Sequence, residues 1–451
     1  MLDKLFKLKE NGTNVRTEIV AGITTFLTLS YIIFVQPAVL SATGMNPGSV
    51  MLATCISSAI ACVLMALLAN YPIALAPAMG HNFFFAFTVC LTMGFTWQQA
   101  LAANCLSGTA FVLLSLFAIR TKIMSIIPEP IRLAIAVGIG LLICLVGLEY
   151  AGIVVEAPGT YVKLGNLKDP YTGLALFGLL ITMILMARGV KGAVLGGMIV
   201  ATTVGLLTGL LKKPALTYEG LSLSPTFFKL DFHGLLARPN ALLSIFFVFL
   251  FLDLFDTVGT LAGVCSGAGL FDKDGNLPNA RQAFLSDAAG TVIGTIFGTS
   301  TITSYVESAA GVQAGGRTGL TSMVTAVLLL AGIVAYPFLG VVAAGIQITD
   351  PKNAAVVLRT VYPVIAPALI IIGAMMMMNV SRIRWNDPTE YLPAYLTIVV
   401  MPLAVNITEG IAFGFISMSI LKTATGRSKD VHWSFHLISI LFILRYIFLS
   451  A

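Results

Sequence analysis

From end to end the chain repeats apolar runs of about 20 residues, the length an α-helix needs to cross a bilayer. Such runs fall at 19–35, 50–68, 97–119, 126–148, 173–186 and 193–211. After a polar segment they resume at 246–261, 286–298, 320–337, 364–378, 395–405 and 407–421. Inside a membrane every backbone polar group must be satisfied internally, so runs of this length are read as helices. Of the residues, 57% are hydrophobic and 10% charged. A soluble domain carries roughly 25% charged residues, which excludes that class. The expected fold is an all-α polytopic membrane protein.

Two further runs are broken, and they bring the count to about fourteen crossings. In YPIALAPAMGHNFFFAFTVCL, Pro72, Pro77 and Gly80 interrupt any helical pattern, and GTSTITSYVESAAGVQAGG in the second half is equally irregular. The two lie about 225 residues apart, which sets Asn82 opposite Glu307 and carries the first run onto the one at 246–261. Seven spans per half is an odd number, so the second copy enters the membrane inverted. Inverted repeats with matching broken helices point to a secondary transporter and to its midplane site. The expected division is a first repeat over 1–211, an extracytoplasmic connection over 212–240 and a second repeat over 241–424. Residues 425–451 form a cytoplasmic tail whose apolar stretch at 431–448 is read as an interfacial helix, a further span being the alternative.

The net charge of +6 is spread over short connections, which argues against nucleic acid as a partner. Lys4, Lys7, Lys9, Arg16, Arg120, Lys122, Arg382 and Arg384 fall on one side of the proposed topology, which predicts cytoplasmic N- and C-termini in a cell membrane. The N-terminus shows no pattern of a cleaved signal peptide. The six cysteines lie in or beside apolar runs without metal-type spacing and read as small buried hydrophobes. No metal set, nucleotide loop or nucleophile elbow is found; FDKDGNLP lacks the closing acid of a calcium loop and reads as a turn. Neither an enzyme nor a resident cofactor is expected.

The chemistry falls on acids at membrane depth. In FFVFLFLDLFDTVGTL, Asp253 and Asp256 stand three apart on one helix face, and each costs ~2.5–3.5 kcal/mol to insert, so both mark a pathway. One is expected to bind substrate and the other to exchange a proton. Short extended stretches, 74–78 and 300–304, precede the two broken helices and are expected to pair with each other. The helix starts near Gly80 and Tyr305 would then aim N–H donors at a polar ligand. Glu307, in the first turn of the second, is a substrate acid or a proton carrier. Asn82 binds substrate or caps its broken helix, and Thr303 lies in the second extended stretch on the substrate side. Phe83, with Phe84 and Phe85, offers a stacking face for a flat ring or simply packs. His81, Thr257 and Asp287 are support candidates; Asp287, following Ser286, also reads as a helix N-cap. Arg317 in GGRTG marks a cytoplasmic span end.

Four segments carry a family resemblance: TEIVAGITTFLTLSYIIFVQP, APAMGHNFFFAF, FLDLFDTVGTLAG and GTSTITSYVESAAGVQAGGRTGLTS. Over nearly its whole length the chain resembles the nucleobase–cation symporters, specifically the AzgA-like purine permease branch. The resemblance implies fourteen spans in a seven-plus-seven inverted repeat with core and gate domains. It also implies proton-coupled uptake of bases such as adenine, guanine or hypoxanthine, often by a homodimer. The matching positions are Asn82, Asp253, Asp256 and Glu307. Gly80–His81–Asn82–Phe83 departs from the usual Gly-Leu-Asn-Ala and reshapes the pocket wall. The competing expectation is an anion or small-solute transporter on the same architecture, since fold alone does not fix function.

Overall fold

The computed structural model describes residues 2–116, 128–157, 161–213, 217–218, 221–270, 277–343, 345–350 and 353–448. Arg120, Lys122 and most of FDKDGNLP lie outside them. A short helix, α1 (Leu2–Phe6), leads into the first apolar run, which is two helices: α2 (Val15–Leu29) and α3 (Ile32–Ser41), joined at Ser30 and Tyr31. Next come α4 (Pro47–Leu64), β1 (Leu75–Pro77) and α5 (Met79–Phe83), which continues in π geometry to Thr92. The first half ends with α6 (Trp97–Leu116), α7 (Glu129–Tyr150), α8 (Pro170–Ala187) and α9 (Ala193–Leu207).

The connection contains α10 (Phe232–Leu236). Then follow α11 (Pro239–Ala268), α12 (Ala280–Phe297), β4 (Ile302–Ser304), α13 (Ser308–Gln313) and α14 (Gly319–Ala331). The chain closes with α15 (Tyr336–Val342), α16 (Ala366–Met377), α17 (Pro388–Ala404), α18 (Ile407–Ala424) and α19 (Trp433–Phe448). Among the described residues, 8 segments are long and apolar enough to cross a membrane, with four shorter apolar helices beside them. The fold is mostly helical, but two hairpins were not expected: β2 (Val154–Ala157) with β3 (Tyr161–Leu164), and β5 (Ile346–Asp350) with β6 (Asn353–Val361).

The helices pack in two groups. In one, α2 lies on α13 and α14, α4 on α12 and α14, and α6 on α11 and α12. In the other, α7 packs on α16 and α17, α17 on α18, and α8 on α9 and α16. Small residues let backbones approach inside a bilayer, where apolar burial gives helices little reason to associate. A Cβ on Gly373 of α16 would stand 2.5 Å from the Gly140 carbonyl of α7, so this crossing requires glycine.

The two extended stretches do pair, antiparallel, with Leu75 opposite Ser304, Ala76 opposite Thr303 and Pro77 opposite Ile302. Proline has no N–H and cannot continue a helix, which is why the chain is extended here. The pairing continues outward through Ala78 N–H to the Thr301 carbonyl (2.9 Å) and Tyr305 N–H to the Ala74 carbonyl (2.9 Å). Side chains satisfy more of the exposed backbone: Ala74 N–H donates to Ser308 Oγ (3.0 Å), and Leu75 N–H to Cys62 Sγ (3.1 Å). Irregular backbone is thus buried in protein, as a membrane interior demands.

Candidate functional site

Asp253, Asp256, Thr257, Asp287, Thr303, Glu307 and Asn82 collect around this strand pair, but in different roles. Asp287 is fully buried in the interior of α12, which starts at Ala280; it is not an N-cap. One of its oxygens accepts from the Ser304 N–H (2.7 Å) and the Ser304 hydroxyl (2.7 Å), the other from the Thr257 hydroxyl (2.6 Å). Hydrogen bonds to a charged acceptor are the strong ones, so Asp287 fastens β4 to α11 and α12. Thr257 thereby supports the frame, and its hydroxyl also stands 3.5 Å from that of Thr303.

Asp253 and Asp256 share a face of α11 but not an environment. Asp253 is buried, and its Oδ2 and the Ile302 carbonyl lie 3.1 Å and 2.9 Å from the Thr291 hydroxyl, which shares its one proton between them. One turn on, Asp256 is exposed, bonded to the Thr303 side chain and within electrostatic range of Asp287 and Glu307. Beside it, the Arg132 guanidinium of α7 sits 5.8 Å over the Phe255 ring, a contact between the two helix groups.

Glu307 is partly exposed and immediately precedes α13. Its Oε1 accepts from the Tyr31 hydroxyl (2.7 Å), and the Thr28 hydroxyl stands 3.4 Å from its carbonyl. Tyr31 and Thr28 are the positions that the 225-residue offset carries onto Asp256 and Asp253. Tyr31 is a site neighbour that the sequence alone leaves unmarked; a phenol at a repeat-matched position is the available signal. Tyr305, also buried, donates from its hydroxyl to the Pro77 carbonyl.

Asn82 is fully buried, and its Oδ1 accepts from the Ser300 hydroxyl. It is no cap: it sits inside α5, its own N–H donating to the Ala78 carbonyl at 3.0 Å. His81 beside it is buried, and Nε2 has no hydrogen-bond partner among the described residues. Phe83 does not present a free stacking face: it is fully buried, its ring stacked on Phe87 at 5.1 Å between centroids. Phe84 likewise packs edge-on against Phe249 of α11 at 4.8 Å. Arg317 turns back to donate to the Val312 (2.8 Å) and Gly316 (2.7 Å) carbonyls at the end of α13. Among the described residues no group of three or more His, Cys, Asp or Glu is arranged to hold a metal ion, and the six cysteines are free.

Paired short strands between half-helices, inside a bundle of apolar helices, define a multi-pass membrane protein of the transporter fold shared with the transmembrane domain of the cyanobacterial bicarbonate transporter BicA. That likeness has a TM-score of 0.62 at 15% identity and covers 88% of this chain and 97% of that one. SLC26A9 shares the fold at a TM-score of 0.61 and 11% identity, over 91% of this chain and 66% of that one. Sequence narrows the class. Residues 16–413 match the permease family. The adenine permease AdeP of Escherichia coli is 40% identical over 100% of this chain and 97% of its own length. The guanine/hypoxanthine permease PbuG of Bacillus subtilis is 41% identical over 99% of each. A putative permease of Methanocaldococcus jannaschii is 46% identical over 100% of this chain and 99% of its own. The chain belongs to the nucleobase permease family.

Proposed function

We propose that the protein is a secondary transporter importing purine bases such as adenine, guanine or hypoxanthine across the cell membrane, coupled to protons, by alternating access. The observation that carries this reading is the pair of unburied carboxylates, Asp256 and Glu307, flanking the paired strands beside Asn82. A carboxylate accepts from ring N–H and amino donors, which purines present along one edge. In this reading Glu307 and Asp256 meet the base with Thr303, and one of them carries the proton. Asp253 acts from behind through Thr291, and the proton gradient is the driving force. The relatives named adenine and guanine/hypoxanthine permeases support purines as the cargo. A seven-plus-seven inverted repeat with cytoplasmic termini, core and gate domains and a homodimeric assembly complete the proposal.

An anion transporter on the same fold is the second reading, because the structural neighbours include a bicarbonate transporter. An anion calls for cationic groups, whereas acids, amides and hydroxyls surround this strand pair, so a neutral, donor-rich base fits better. The test is uptake of radiolabelled adenine, guanine, hypoxanthine, xanthine and uracil into cells lacking their own carriers, with and without a proton uncoupler. Purine accumulation that collapses with the uncoupler is expected. Accumulation of none of these bases refutes the reading. Glu307→Gln and Asp253→Asn are each expected to abolish uptake while the protein still reaches the membrane.

A further inference from the structure

Behind Asn82 lies a chain of buried hydrogen bonds that the proposed transport does not itself use. Gln36 of α3 is fully buried, and its Nε2 donates to Thr299 Oγ1 (2.9 Å) and to Ser300 Oγ (3.1 Å). Thr299 Oγ1 is also bonded to Thr54 Oγ1 (3.2 Å), and Ser300 Oγ to Asn82 Oδ1. A serine hydroxyl has one proton. Because Ser300 accepts from Gln36, its own proton is free for Asn82, and the facing Asn82 atom must be the oxygen. With Gln36 donating as it does here, the reverse Asn82 orientation would leave that proton without an acceptor, and networks of this kind are what assign amide direction. The Asn82 nitrogen then points away from the relay. Its one hydrogen-bond partner among the described residues is Met79 Sδ at 3.7 Å, a weak acceptor on a pliable side chain.

We infer that Gln36 and Ser300 are positioning residues that lock the Asn82 amide donor-outward, so that the site demands a hydrogen-bond acceptor on its ligand at that point. The inference rests on the proposed role of Asn82 in binding a base. It gives the recognition a polarity: carboxylates take the donor edge of the ring, and Asn82 takes a ring nitrogen or carbonyl oxygen once Met79 swings aside. A site built to hydrogen-bond a ligand atom rejects the analogue lacking it, because its own polar group is left unpaired.

The test is uptake by the full-length protein in carrier-deficient cells, with surface amount measured by immunoblot. Labelled purine is competed by the unlabelled base and by its 3-deaza, 7-deaza and 9-deaza analogues, each of which replaces one acceptor nitrogen with C–H. Wild type is expected to discriminate against at least one analogue by roughly tenfold or more, the scale of one buried hydrogen bond. In Ser300→Ala and Gln36→Leu, KM should rise and that discrimination should shrink toward unity. Ser300→Thr, which keeps the hydroxyl, should restore it. Should an apolar variant fail to reach the membrane, Ser300→Cys, a weaker donor of similar size, is read for the same loss. Thr54→Val, which removes only the bond to Thr299 and keeps both Gln36 bonds, reports packing damage alone and should retain discrimination. Unchanged discrimination in the Ser300 and Gln36 variants overturns the relay while leaving purine transport standing. A wild type that carries no purine overturns the site reading and the relay with it.

Discussion

Replacing Asp287 with alanine removes a carboxylate that receives three hydrogen bonds at 2.6–2.7 Å, one of them from the backbone of β4. Each bond to a charged acceptor is worth about 1.5–3 kcal/mol, but the three are not additive. The Ser304 and Thr257 hydroxyls rotate to other partners; Thr257 already reaches the Asp253 carbonyl at 2.7 Å. The Ser304 N–H cannot rotate, and it remains buried and unmet. Removing one partner of a buried charge network typically costs about 3–5 kcal/mol, and Asp287→Ala is expected in that range. Asp287→Asn keeps one acceptor oxygen and should lose roughly half as much. The assay is the thermal unfolding midpoint of detergent-purified protein, paired with base uptake at matched surface amount. A fall of several degrees for alanine, a smaller one for asparagine and a parallel loss of uptake are expected. An alanine variant with a wild-type midpoint and normal uptake would refute the view that this carboxylate fastens the strand pair.

Glu18 is fully buried in α2 and accepts from the Arg317 (2.8 Å), Thr318 (3.3 Å) and Thr321 (3.2 Å) N–H groups and the Thr321 hydroxyl (2.6 Å). Glu18→Ala should lower stability by about 2–4 kcal/mol in the same unfolding assay by uncapping α14. Lys422, buried in α18, pairs with Glu390 (3.5 Å) and Asp430 (3.7 Å). Lys422→Met should cost about 3–5 kcal/mol, and adding Glu390→Leu should recover much of it, because the stranded charge is removed. The Arg427 guanidinium, then the Thr389 hydroxyl, hold the Asp387 carboxyl well below the usual carboxylate range. A depressed folded pKa stabilises above the unfolded value, near 3.9, and is lost as pH falls. The midpoint gap between wild type and Asp387→Asn should therefore be full at neutral pH and close as pH falls below about 4.

The course of the helices and the paired strands were legible because prolines and a long apolar repeat leave little choice. The expected break at 71–91 and the pairing of its extended stretch with 300–304 both appear. What stayed hidden was local. No proline or glycine marks the join at Ser30–Tyr31, so the first run read as one helix and Tyr31 was overlooked. Asp253 and Asp256 sit three residues apart, about 60° from eclipsed on a helix; that rotation decides which carboxylate meets Thr291 and which meets Thr303. The start of α12 was missed because its first turn, Ala-Arg-Gln-Ala, is as polar as a loop, which moved Asp287 from a cap into the helix interior. Phe83 illustrates a different limit, since an aromatic cluster does not reveal which rings already face one another.

The frame around the proposed site is made largely of main chain. Short strands, their flanking backbone bonds and the carboxylate of Asp287 fix where the two half-helices begin, whatever side chains stand at positions 82, 256, 303 and 307. A frame of this kind decouples architecture from taste: substrate preference can drift one side chain at a time while the scaffold is inherited intact. Relatives with different named bases, each about as similar to this chain as the other, are what such a division of labour would leave behind.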